Sequence, residues 1–470
     1  MIDSHFRLRE HQSSLRTEIL AGATTFLTMA YIIFVQPAVL SGAMFGTETG
    51  MDFGAVTTAT CVAAAVATAI MGLFARYPIA LAPGMGQNFF FVISALPAAA
   101  ATGASEPWRV AMGTVFVAGV VFLAISLFGI RKRLMDVVSP AMKHAIAVGI
   151  GLFIAFIGLQ YAGLILTDAG TAVKMNPVLY SPDLVVFFAG FLVACTLLAR
   201  GARGPILWGI AAALLTALAL RWLIPVLPEP ISGSRLVSES KLFTDFVPAS
   251  GVLSAPPSLA PTFLGMDLLA ALQPAMIPIV VMFLFMDVFD TMGTLIGVGQ
   301  QAGFIKDNKL PRAERAMLSD AAGTVIGAAL GTTTVTSYIE SASGVQEGGR
   351  TGLTALTVSC LFLLALFFSP LIEMIGKYPP ITAPALVLVG AMMVRNVKDI
   401  DWSDVTEGIP AFVTILGIPL FHSIADGLSL GLVAYPFLKL SSGRARELGW
   451  PMWGLAALLG LYFVLVRARM

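Results

Sequence analysis

The chain alternates long apolar runs with short polar stretches. This is neither the period-2 pattern of half-buried strands nor the striped pattern of a surface helix. A helix needs about 20 mostly apolar residues to cross a bilayer core. Runs that approach this length cover roughly 19–40, 55–74, 78–96, 110–130, 144–166, 182–199, 204–226, 272–298, 316–331, 333–346, 352–374, 381–395, 408–422 and 424–440. These are fourteen segments. A further apolar run at 451–467 reads as a fifteenth span, a re-entrant piece or a helix lying on the surface. Segments 3 (78–96) and 10 (333–346) are rich in Gly, Pro, Thr and Ser, which do not build a simple lipid-facing helix.

Composition agrees. Of 470 residues, 57% are hydrophobic and only 12% charged, with mean hydropathy +0.87. A soluble domain carries about 25% charged residues, so the expected solvent is lipid. The net charge of +1 gives no basic field that would suit nucleic acid. Cys61, Cys195 and Cys360 lie far apart inside apolar runs and read as packing thiols, not as a disulfide framework or a metal site. The first 17 residues are polar and charged, which is not the pattern of a cleavable signal peptide. With the N-terminus placed in the cytoplasm, the inside loops of the fourteen segments carry twenty Lys and Arg and the outside loops six. That bias supports both the count and the orientation in the cytoplasmic membrane.

Fourteen segments divide into two sevens, and an odd repeat unit forces the second copy to insert upside down, as in many secondary transporters. Segment 3 opens Tyr77-Pro78 and runs through Pro83-Gly84-Met85-Gly86-Gln87-Asn88, and segment 10, seven later, is equally irregular from Gly331 to Ser341. Segments 5 and 12 both enter through prolines, Pro140 and Pro379-Pro380. A long polar connection at 227–264 lies between the halves. Backbone that leaves helical geometry within a membrane is tolerated only where protein or a wet cavity satisfies it. In transporters such breaks build the substrate site.

Carboxylates within spans are costly and are functional candidates by default. Asp287 and Asp290 lie three apart in segment 8 and can share a helix face, and Glu340 lies in segment 10. Asp290 and Glu340 stand out, because neither segment contains a Lys or Arg to neutralise them. Glu18, Asp320 and Asp426 sit near segment ends and read first as caps or first-turn acids, and His422 as an end-of-helix polar residue. Asn88 in the other broken segment either reads a substrate or satisfies freed backbone. Two acids and an amide suit a neutral heterocycle, whose edge presents both donors and acceptors; a carboxylate accepts, and a protonated carboxyl also donates. An anionic substrate would favour Arg, Lys or helix N-termini.

The chain resembles the AzgA-like purine permeases of the nucleobase–ascorbate transporter superfamily. The likeness lies in Arg16–Gly22 with Thr24–Ile32, Pro78–Gly86 followed by Asn88, Phe289–Leu295, Thr336–Ser341, Gly344-Val345 with Glu347–Leu353, Ala383–Leu386 and Ser423–Gly427, and covers about 12–440. The resemblance implies an all-α polytopic fold of fourteen segments in a 7+7 inverted repeat, with short strands in segments 3 and 10. It implies a core domain from 1–130 and 265–374, a gate domain from 131–226 and 375–440, a periplasmic connection at 227–264 and an apolar tail at 441–470. It places Asp290 and Glu340 as the substrate-binding and proton-coupling acids, Asn88 as the segment-3 amide, and Tyr338, Phe89, Thr294 and Ile339 around the pocket. Asp287 and Ser341 are secondary candidates. Two residues depart from the family pattern, Gln87 and Gln36, and neither is expected to touch the acids.

The expected function is therefore proton-coupled uptake of adenine, guanine or hypoxanthine, with no cofactor beyond the proton. Partners are the purine and the bilayer; a homodimer through the gate domain is the assembly the resemblance raises. Xanthine, uracil or an anion on the same fold is the alternative, since fold does not fix substrate. An intramembrane aspartyl protease would need Tyr-Asp and Gly-x-Gly-Asp in adjacent spans, and a nucleotide-driven pump a Gly-x-x-x-x-Gly-Lys-Ser/Thr loop; the chain has neither.

Overall fold

A computed structural model describes residues 6–128, 137–229, 233–305 and 310–465. Arg131, Lys132, Arg133, Lys306, Lys309, Arg467 and Arg469, and the 130/131 domain boundary, lie outside the described residues.

The helices begin where the sequence supplies a cap. Ser139 precedes Pro140 and accepts the Met142 N–H at 3.3 Å, opening α7 (Pro140–Tyr161). Ser181-Pro182 does the same for α8 (Pro182–Ala199). A hydroxyl side chain satisfies an orphan N–H, and proline at the first helical position loses nothing by lacking one. The first half contains α1 (Leu15–Met29), α2 (Ile32–Leu40), α3 (Phe53–Ile70), β1 (Leu81–Pro83), α4 (Met85–Phe90), α5 (Leu96–Ala101), α6 (Pro107–Leu127), α7, β2 (Ile165–Asp168), β3 (Ala172–Met175), α8 and α9 (Pro205–Leu223). The second contains α10 (Ile277–Gln301), α11 (Ala313–Leu330), β4 (Val335–Ser337), α12 (Ser341–Gln346), α13 (Gly352–Ala365), α14 (Ser369–Gly376), α15 (Pro379–Val394), α16 (Val405–Leu420), α17 (Ile424–Ser441) and α18 (Trp450–Leu465).

Among the described residues, nine helical spans are long and apolar enough to cross a membrane. The other expected segments are shorter, broken or, for α11 and α17, less apolar. Segment 1 is interrupted at Ala30-Tyr31, a break the hydropathy pattern did not reveal. Segment 5 ends at Tyr161, not 166; Ile165–Asp168 and Ala172–Met175 form a hairpin in place of the last turn. Segments 3 and 10 each contribute one strand and then a six-residue helix, and the two strands pair antiparallel. The run at 451–467 is helical as far as Leu465, and its Met452, Leu455, Leu459 and Tyr462 are buried against α17.

Two packing groups are evident. In one, α13 crosses α1 and α3, α11 crosses α3 and α6, and α10 packs on α6. In the other, α7 packs on α15 and α16, and α8 on α9 and α15. Glycine permits the closest crossing in the first group. A Cβ on Gly352 would collide with the carbonyl of Gly72, and one on Gly72 would lie 2.6 Å from the carbonyl of Gly352. Gly352→Ala gains about 1 kcal/mol of helix propensity, but pushing two backbones apart costs up to about 3 kcal/mol. The net effect expected is a lower melting temperature in detergent; an unchanged or raised value would show that the crossing can relax.

Glu18 joins α1 to the segment that leads into α13. It is fully buried and accepts from the Ser13 hydroxyl at 2.6 Å and from the backbone N–H groups of Arg350 and Thr351 at 3.1 and 3.2 Å. Glu18 is the first-turn acid of α1 that the sequence suggests, and its carboxylate also holds the start of α13, where the dipole favours a negative charge as well.

Candidate functional site

The two strands set the geometry. Leu81, Ala82 and Pro83 face Ser337, Thr336 and Val335, and the pairing continues with the Gly84 N–H donating to Thr334 (3.0 Å) and the Tyr338 N–H to Ala80 (2.9 Å). Each broken segment thus satisfies the other's backbone, which lipid could not do. The chain then turns into α12, and the Ser341 hydroxyl accepts the Ala80 N–H at 3.0 Å. Ser341 is buried and holds the strand pair together.

Two acids flank this unit. Glu340 leaves the end of the second broken segment, and its carboxylate accepts from the Tyr31 hydroxyl at 2.6 Å. Tyr31 sits at the break between α1 and α2, so the interruption of segment 1 places a phenol beside the acid. Asp290 on α10 accepts from the Gln87 side-chain N–H at 3.0 Å. Asp290 and Glu340 lie on α10 and at the start of α12, two elements that pack against each other. Both are partly exposed, whereas Tyr31, Gln87, Asn88, Asp287, Asp320 and Ser341 are buried. A molecule entering from solvent therefore meets these two carboxylates before the groups that hold them.

Gln87 corrects the sequence reading. It was expected to stay clear of the acids, and it bonds to Asp290 directly. Asn88, the neighbouring amide, points the other way: its N–H₂ donates to Gln36 at 2.9 Å, and Gln36 donates to Thr332 and Thr333, each at 2.9 Å. One helical step separates the two amides by about 100°, which sends Gln87 to α10 and Asn88 to α2. The Asn88 carbonyl oxygen is buried without a hydrogen-bond partner, so one polar atom of that side chain stays uncommitted.

The remaining candidates divide. The Tyr338 hydroxyl donates to the Pro83 carbonyl and braces β1. Thr294 is buried one turn past Asp290. Phe89 is fully buried between Phe45 and Phe153, edge-to-face at 6.2 and 6.4 Å, with neither ring face open. Ile339 is 46% exposed and lies beside Gly297, two turns beyond Asp290. Asp287 is buried and accepts from Thr324 at 2.7 Å. Asp320 accepts from Thr291 and, at 2.7 Å, from Ser337. Read first as a cap, Asp320 is instead tied to the strand pair through Ser337; its position inside segment 9, facing the Thr- and Ser-rich segment 10, is the only sequence signal of this. His422 packs between Phe153 and Phe156, at 5.4 and 5.8 Å. Among the described residues no group of three or more His, Cys, Asp or Glu is placed to hold a metal ion.

An exposed stripe leads away from the acids. Along α10 the residues before Phe289 are almost all buried, whereas Phe289, Asp290, Gly293, Ile296, Gly297 and Gln300 are partly or fully exposed on one face. A Cβ on Gly293 would meet nothing within 4 Å. The acids are thus reached from the C-terminal end of α10.

Comparison with known proteins fits this geometry. The sequence profile of the xanthine/uracil permeases, described as Permease family, matches residues 16–428. The guanine/hypoxanthine permease PbuG of Bacillus subtilis (strain 168) is 41% identical over 98% of this chain and 99% of its own length. The adenine permease AdeP of Escherichia coli (strain K12) is 36% identical over 100% of this chain and 97% of its own. Among solved structures, the transmembrane domain of a cyanobacterium bicarbonate transporter BicA superposes with a TM-score of 0.58 at 15% identity, over 89% of this chain and 97% of that one. At that identity the likeness concerns the fold alone, the 7+7 inverted repeat expected from the two broken segments. With the profile spanning most of its length and relatives of this identity along nearly all of it, the chain belongs to the xanthine/uracil permease family of the nucleobase–ascorbate transporter superfamily.

Proposed function

We propose that this multi-pass membrane protein is a proton-coupled symporter for purine nucleobases in the cytoplasmic membrane, with its N-terminus inside, and that it transports and does not catalyse. The carrying observation is the placement of Asp290 and Glu340, two partly exposed carboxylates presented by neighbouring elements and held from behind by Gln87 and Tyr31. A purine edge offers ring N–H donors to the carboxylates, and a protonated carboxyl donates in return to a ring nitrogen or carbonyl. The relatives named as guanine/hypoxanthine and adenine permeases point to the same substrates.

In this reading α1–α6 and α10–α13 form the moving core, and α7–α9 with α15–α17 the gate. With the N-terminus cytoplasmic, α10 ends inside and the exposed stripe is the inward path. The proton loads on one acid from outside, the base docks against both, the core moves relative to the gate, and loss of the proton to the cytoplasm weakens the hold. Either acid can carry the proton in this scheme. Asn88, five residues past the strand, acts in this scheme through Gln36 and the hydroxyls of Thr332 and Thr333.

The test is uptake of radiolabelled adenine, guanine, hypoxanthine, xanthine and uracil by cells that lack their own permeases, with and without a protonophore. Saturable purine uptake that collapses with the protonophore is the expected result. Uptake of none of the five bases would overturn the substrate class; purine uptake indifferent to the protonophore would overturn the coupling.

A further inference from the structure

A second site lies at the far end of the same packing group. A cavity of about 430 Å³ opens where the N-terminal segment meets the end of the span containing α3 and the start of α11. Arg7, Arg76, Arg312 and Arg315 line it together with His11 and Glu10. Among the described residues four guanidiniums therefore face one carboxylate, and that carboxylate is engaged by Arg7 at 3.4 Å. Elsewhere the chain pairs such cations: Arg203 with Glu347, Arg235 with Glu239, and Arg444 with Asp404 and Glu447. Here Arg312 lies over the Tyr77 ring at 4.9 Å and Arg315 over Phe74 at 5.6 Å. Stacking of this kind fixes a planar guanidinium while leaving its N–H donors directed outward. The Arg76 Nε is buried without a hydrogen-bond partner. A buried donor of a charged group left unpaired carries a desolvation cost, which an anion in the cavity would remove.

We infer that this cavity is a binding site for a phosphate-bearing anion, distinct from the transport site. Guanidinium groups match phosphate oxygens in paired hydrogen bonds, and Arg312 and Arg315 stand at the N-terminal end of the 18-residue helix α11, where the dipole adds to the attraction. Phe6 is buried and lines the same cavity, so an anion held by Arg7 and Arg76 would fasten the N-terminal segment to the core. The phosphate can belong to a soluble phosphate compound or to the headgroup of an acidic lipid, since both present the same oxygens at a membrane surface.

The experiment uses the full chain and its Arg76→Gln, Arg315→Gln variant. Melting temperature is measured in detergent against rising inorganic phosphate, with potassium chloride at equal ionic strength as control. It is measured again in bilayers of phosphatidylcholine with or without phosphatidic acid. A saturable rise with phosphate identifies a soluble ligand, and a rise confined to phosphatidic acid identifies a lipid; either supports the site, provided the double variant loses it. Each guanidinium removed is expected to weaken binding on the order of tenfold. Equal shifts in wild type and variant, or none in wild type, would overturn the proposal and leave these arginines as topology signals alone. Should the double variant fail to fold, Arg315→Gln, at an exposed position, carries the comparison. Base uptake does not enter the readout, so the result is independent of the transport reading.

Discussion

Uptake by a Glu340→Gln protein is expected to fall by roughly 10- to 100-fold, the cost of losing one hydrogen bond to a charged group. Gln preserves the shape of the side chain, and its carbonyl oxygen can still accept from Tyr31, which now donates to Glu340 at 2.6 Å. What it loses is the negative charge and the ability to carry a proton. Asp290→Asn should behave alike, because Asn can still accept from Gln87 while offering no carboxylate. Exchange of labelled for unlabelled base across the membrane separates the two roles. A variant that exchanges normally but cannot accumulate has lost coupling; one that does neither has lost binding. Wild-type accumulation by both variants would remove the acids from the site. Ser341→Ala serves as a contrast: its hydroxyl is committed to the Ala80 N–H, so its effect should appear in melting temperature.

Lys439→Met is expected to destabilise the protein by about 3 kcal/mol or more, the cost of stripping one partner from a buried ion pair. The Lys439 side chain is 2% exposed and its ammonium lies 3.0 Å from Glu407, 2.9 Å from Glu447 and 3.7 Å from Asp404. Glu407 also accepts from Ser139 at 2.6 Å and Tyr435 at 2.9 Å. Four pieces of chain meet there: the start of α7, the start of α16, the end of α17 and the turn before α18. Methionine fills the volume of the stem and leaves three carboxylates facing each other, so adding Glu407→Gln should restore part of the loss. An unchanged melting temperature would show that water already screens the cluster. Arg444 takes part as well: its hydrogen bonds hold the Glu447 carboxyl below the usual range, and the Asp404 carboxyl is held low by Thr406 and Arg444. Groups lowered in this way stabilise the fold above the unfolded carboxylate values of about 4 and lose that contribution as pH falls below them. The melting temperature is therefore expected to hold from neutral pH to about 5 and to drop below about 4.

Much of this architecture is legible in the chain. Long apolar runs can only be spans, because no water-soluble core would bury them, and the asymmetry of Arg and Lys carries the orientation proposed above. Gly, Pro and Thr clusters in segments 3 and 10 mark backbone that must be satisfied by something other than a helix. An acid without a basic neighbour in an apolar run is a candidate site residue, which is how Asp290 and Glu340 stand out. These inferences need only composition and local spacing.

Direction and partnership are different. Gln87 and Asn88 are adjacent amides with the same chemistry, and only the rotation of α4 against α10 and α2 sends the first to Asp290 and the second to Gln36. Tyr31 reaches Glu340 across 309 positions of sequence because segment 1 breaks where no proline or glycine marks it. Glu18 has the sequence signature of a first-turn acid, yet it secures the start of α13. The sequence by itself thus determined the solvent, the spans, the two breaks and the two acids, since each follows from the transfer cost of residues in their own segment. The tertiary structure alone decided which polar group each acid meets, because those contacts join segments far apart in the chain whose relative rotation no local pattern encodes.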